Sequence, residues 1–406
     1  MGDPEAKTDG VQMSQEQAAT QQFGQFDTQV QSPPVFVPPP LPPSLVSTIE
    51  RNSEAVVNQV MSRRAGLAPG QKLVVGLGEL HEDGAHVVLE HVILHKLIQR
   101  GLKCAFALEW PPNNIDMHID DEMDSQVTDK STLKAFLNLP GNAVLRNKLS
   151  CDTTPIRTSN ARLSRTVLHQ YIDNHGIPIF CADAQRDWSL YFQNDRSVQH
   201  LLAHEPKTQA AIEEAAHILQ IKPGETGYPP VEALNQFGML ARNIYLLHQA
   251  EQIIDDFPYI DVVFLEAGRA HITGNDKLTP DPSPYSHGLS SLFSRKSGHV
   301  FIGAPFFNSA NDRDYNMPLE AVLDQSILTL EPLDKMPFNV VSSNVSDKSE
   351  AKMLGDLAPY FDCIGETLEG DDARVLRECR KQRLLSTLER IRDDNQMLLM
   401  PPAPSH

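Results

Sequence analysis

"KLVVGLGELHEDGAH", residues 72–86, is the stretch on which the fold turns. Leu73 to Val75 make a short apolar run suited to a buried strand, Gly76-x-Gly78 follows, and a helical pattern begins a few residues later. A dinucleotide-binding fingerprint would place its third glycine at position 81. That position holds His81, and Glu79 stands two residues before it. The strand thus ends in a carboxylate and an imidazole where a phosphate would need bare backbone. A Rossmann-type nucleotide binder is therefore the third-ranked reading.

Outward from this stretch, apolar runs alternate with helical segments. "AHVVLEHVILHKLIQRG" reads as a helix closed by Gly101, and "KCAFALEW" as the next strand. Helical patterns around 129–138 and 158–175 lead to the strand "IPIFCADA". Long helical regions at about 206–220 and 231–256 precede the strands "YIDVVFLEAG" and "GHVFIGAP". Continuous apolar strands separated by helices predict an α/β fold, with a mainly parallel central sheet flanked by helices on both faces. Residues 1–45, rich in Gln, Ser and Pro and ending in "SPPVFVPPPLPPS", are expected to be disordered, because they bring too little apolar area to offset their ordering entropy. The α/β domain is placed at 46–345. Residues 346–406 are expected to be a C-terminal helical extension, with a charged helix at about 371–395 and a loose tail.

Composition removes several function classes. The 406 residues carry a formal net charge of -18, which disfavours nucleic acid and anionic lipid as partners. The five cysteines are scattered singly, with no C-x-x-C pair, and read as reduced, buried thiols. There is no apolar run near the ~18 residues of a membrane span and no general secretory signal. The expected location is cytoplasmic, or that of a secreted effector delivered by another route. The Pro-rich segment is a candidate contact for a host or bacterial protein partner, though a plain linker explains it more simply.

Ligands of open parallel sheets bind beyond the carboxyl ends of the strands. Four strands here end in polar residues: Glu79 and His81; Glu109; Asp183 and Arg186; and Glu266, Arg269 and His271. Each has a plainer explanation. Glu79 could cap the following helix, and a lone histidine is more often structural than catalytic. His91 and His95 share a helical face and are assigned to packing or solvent before metal. Asp120, Asp121, Glu122 and Asp124 are assigned to a solvated helix end. Glu109 is harder to dismiss, since it closes the apolar strand "AFAL", where an unpaired charge is costly. No G-x-S-x-G elbow, Walker loop or H-E-x-x-H motif is present.

Gly78-Glu79-Leu80-His81, Glu109, Arg242-Asn243 and Gly268-Arg269-Ala270-His271 occur in the order of the motifs of the erythromycin esterase, ChaN and Tiki superfamily, which the chain resembles over roughly residues 70–305. The module also occurs in some bacterial protein toxins, so the resemblance extends to a toxin-like effector. It implies a hydrolase of ester or peptide bonds acting on a small molecule or peptide. Its site would be Glu79, His81, Glu109, Arg242 and His271. His81 or His271 would serve as general base, a carboxylate as its partner, and Arg242 as a clamp on the carboxylates or on an oxyanion. His81, Glu109 and His271 are also the candidate ligands of a zinc or manganese ion. The alternative is a non-enzymatic haem- or partner-binding module of the ChaN type, although the tyrosine ligand of that route has no identified counterpart here.

Overall fold

The computed structural model describes residues 43–81, 83–122, 130–157, 161–191, 198–221, 231–274, 288–306, 343–368 and 373–399. These belong to one compact unit, Leu41–His406. The expected disorder of the N-terminal segment, and its Pro-rich partner contact, fall outside the described residues, except that helix α1, Pro43–Ala65, begins inside the stretch expected to be disordered. Its stripe of Leu45, Ile49, Val56 and Val60 is buried. No element was expected there, because Asn, Ser, Glu and Arg separate the apolar residues and dilute the pattern.

Five strands form one sheet: β1 Leu73–Glu79, β2 Cys104–Leu108, β3 Ile179–Cys181, β4 Val262–Gly268 and β5 Val300–Pro305. All neighbours are parallel, in the order β3-β2-β4-β1-β5. The fold is α/β, as the alternation of runs predicts. Each strand is apolar on both sides because helices cover both faces. Leu73, Val75 and Leu77 of β1, with Val262 and Phe264 of β4, face one core, whereas Val74, Val263 and Leu265 face the other.

The first core is roofed by α1, by α2 (Gly84–Gln99) and, beyond α3 (Asn114–Glu122), α4 (Lys130–Leu137) and α5 (Ala143–Arg157), by α6 (Arg162–Asn174). The second is covered by α7 (Pro206–Ile218), α8 (Val231–Asp256), the single turn α9 (Arg269–Thr273) and α10 (Leu289–Lys296). The C-terminal region is helical as expected, with α11 at Ser343–Leu357 and α12 at Ala373–Leu399. It also enters the core: Met353, Leu354, Leu357, Phe361 and Ile364 pack in the same cluster as β1. Leu384, Leu388 and Ile391 of α12 close a smaller cluster with α3, α4 and α5. Among the described residues no helix is long and apolar enough to cross a membrane.

Gly76 and Gly78 of the opening stretch serve packing. A Cβ at Gly76 would meet the Phe301 ring and lie 2.8 Å from Cδ1 of Ile272, so β1 is bare there to admit α9 and β5. Close approach of protein to protein replaces the phosphate contact that the G-x-G pattern first suggests.

Candidate active site

Parallel register sets the carboxyl ends of β1, β2 and β4 side by side: Glu79 lies opposite Gly268, and Leu108 opposite Glu266. The chain leaves β1 in a turn that His86 holds, its Nδ1 accepting the Leu80 N–H at 3.0 Å. That turn presents His81 with its side chain 54% exposed, above a layer of buried charge. Asp83, not Glu79, caps α2, accepting from the Ala85 N–H at 3.0 Å. Glu79 is thereby left for the site.

Two ion-pair systems meet at this edge. In the first, Arg165 of α6 gives Nη2 to both oxygens of Glu79 at 2.7 Å and Nη1 to Glu266. Glu79 Oε1 then takes Nδ1 of His81 at 2.8 Å. Burial pushes the Glu79 carboxyl up, but the Arg165 charge and the His81 bond outweigh it and hold it at about 2. In the second system, Arg242 of α8 pairs with Asp183, Nη2 to Oδ2 at 2.6 Å, and with Glu109; Arg186 also pairs with Asp183. Burial raises the Asp183 carboxyl too, and the two guanidiniums win, holding it at about 2.

Glu109 joins the two systems. Its Oε1 lies 3.0 Å from Nε2 of His271 and accepts from Arg242. Its Oε2 accepts the Gly268 N–H at 2.5 Å and faces Nε2 of His81 at 3.7 Å. Against burial, His271 and Arg242 hold its carboxyl well below the carboxylate range. His271 is fixed from behind, its Nδ1 bonded to Oδ1 of Asn243 at 2.5 Å. Burial lowers the basicity of His81, but the Glu79 bond and the Glu109 charge more than restore it, so the ring ends above its ordinary 6.5. A Cβ at Gly268 would stand 3.0 Å from Nε2 of His81, so glycine is what lets the imidazole lie over the end of β4.

All five residues expected at a site, Glu79, His81, Glu109, Arg242 and His271, therefore sit in one connected network. The metal set His81, Glu109 and His271 is less tightly gathered, since the two imidazoles approach different oxygens of Glu109, at 3.7 and 3.0 Å. Arg165, Asp183, Glu266 and Asn243 complete the network and lie outside the expected five, and His86 holds the turn that carries His81. Elsewhere His91 and His95 are buried against Tyr171, with His95 Nδ1 2.9 Å from its hydroxyl, which is the packing role. Asp120 is exposed and paired with Lys134, as a solvated helix end should be.

The class so defined is an α/β protein with a histidine–carboxylate network at the carboxyl edge of a parallel sheet. No family model matches the chain, and no curated protein matches it. Among solved structures it is similar to a Bacillus cereus protein at 12% identity, over 64% of this chain and 74% of that one, with a TM-score of 0.30. It is also similar to a succinoglycan biosynthesis protein, at 13% identity over 64% and 74% of the chains, with a TM-score of 0.25. A third is a mutant of the erythromycin esterase EreC in its open conformation, at 11% identity over 60% and 72%, with a TM-score of 0.26. Likenesses this distant leave the reaction to be argued from the site.

Proposed function

We propose that the protein is a hydrolase of ester bonds, with His81 as the general base that activates water. The observation that carries this reading is the chain Arg165–Glu79–His81. One guanidinium nitrogen, shared by both oxygens, locks an ionised carboxylate, and that carboxylate accepts the Nδ1 proton of a half-exposed imidazole in a hydrogen bond. The tautomer this bond favours leaves Nε2 as the basic atom, as in an acid–base triad. Nε2 faces Glu109 Oε2 at 3.7 Å, too long for a direct hydrogen bond, and a water bound beside the pair can reach both atoms. A proton drawn from that water goes to Nε2, hydroxide attacks the acyl carbon, and the same proton then returns to the departing alkoxide. His271 and the main-chain Gly268 N–H keep Glu109 in place. The pairing of Arg242 with both Glu109 and Asp183 supports a clamp on carboxylates over contact with an oxyanion.

Hydrolysis of a panel of aryl esters and macrocyclic lactones tests the reading. His81→Ala should lower kcat by ~10²–10⁴-fold, the usual contribution of a positioned base. A panel left untouched by the purified protein, or turnover that survives His81→Ala, would overturn it.

A further inference from the structure

Beneath the edge, between β1, β4, α2 and α6, three carboxylates crowd one guanidinium. Two of them, Glu79 and Glu266, take the fork of Arg165. The third is Glu90, from the middle of α2, with no solvent exposure at all. Neither oxygen of Glu90, nor Oε2 of Glu266, has a hydrogen-bond partner among the described residues. Such an arrangement is costly, because a buried carboxylate without partners forfeits its hydration and gains nothing in return.

Geometry suggests what compensates it. One oxygen each from Glu79, Glu90 and Glu266 lie within 4.8 Å of one another. Oxygens on opposite sides of a hard divalent cation, each at about 2.0–2.6 Å, stand about 4–5 Å apart. Charge gives the same answer. Three carboxylates against Arg165 leave a surplus of two negative charges, which one divalent cation cancels.

We propose that Glu79, Glu90 and Glu266 form a binding site for a hard divalent cation of the manganese, magnesium or calcium kind. Glu90 is the ligand with no other bond to serve. Oxygen-only donors favour these ions over zinc or copper, which take imidazole readily. The site shares Glu79 with the histidine network above it, and it does not depend on the hydrolase reading.

Manganese(II) alone, titrated into the full-length protein, tests this by electron paramagnetic resonance. The expected result is one bound Mn2+ per chain whose pulsed spectrum carries no coupling to a coordinated imidazole nitrogen. Glu90→Gln preserves volume and should weaken binding at least tenfold. Absence of bound Mn2+ in the wild type overturns the proposal, as does an imidazole coupling or an unchanged affinity in Glu90→Gln. Should Glu90→Gln fail to fold, the wild-type spectrum decides alone, since imidazole coupling places the ion on the histidines.

Discussion

Glu109 stands between two histidines, and the two respond differently to removal. His81 is half-exposed, so His81→Ala uncovers little and should change stability by less than about 0.5 kcal/mol. His271 is buried between Glu109 and Asn243, so His271→Ala leaves buried polar groups unpaired and should cost about 1–3 kcal/mol. Chemical denaturation of the two variants checks the split. The rate should depend on pH through His81, whose basicity is raised above 6.5. A base works only when deprotonated, so kcat/KM should climb with pH along a limb centred above 6.5. Glu79→Gln removes the charge that raises it, and the limb should then move down; a limb that stays fixed would detach His81 from the rate. The strand-end residues of this network were legible in the sequence because an apolar run that stops at a carboxylate or imidazole has no packing use for it. Arg165 and Glu90 were not, because a single charge on an otherwise apolar helical stripe declares itself only when the residue across from it is known.

At the scale of elements, the strands were readable because both-faced apolar runs leave few alternatives in a covered parallel sheet. Their order was not readable. Nothing local in β1 or β2 says that β4 will pair with both. Helix α1 also went unseen, since its apolar residues are spaced by polar ones and gain meaning only against the sheet. The packing of α9 on β1 gives a test of the G-x-G motif. Gly76→Ala would press a methyl into Ile272 and the Phe301 ring, itself stacked on Phe293 at 4.7 Å. The expected loss is about 1–3 kcal/mol from overpacking, measurable in urea. A neutral effect would mean that β1 and α9 are less closely fitted than the distances indicate.

For the whole molecule, Glu350 ties the C-terminal region to the site. Its carboxylate accepts the Leu163 and Ser164 N–H groups at the start of α6, at 3.3 and 3.0 Å, and α6 carries Arg165. Glu350→Ala frees those donors and should lower stability by about 1–3 kcal/mol, a loss readable as a shifted denaturant midpoint. It should reduce hydrolysis as well, since α6 would then hold Glu79 less firmly. Unchanged turnover in the folded variant would separate the C-terminal helices from the chemistry. The sheet order has a consequence for how the chain is made. β1 and β2 leave the ribosome early, yet neither pairs with the other; the strand between them is β4, whose Val262 lies opposite Leu73. At ~5–20 residues per second, the intervening stretch takes on the order of 10–40 s to synthesise. For that interval two largely apolar strands wait with open edges, which makes the nascent chain, rather than the finished protein, the form most in need of a chaperone.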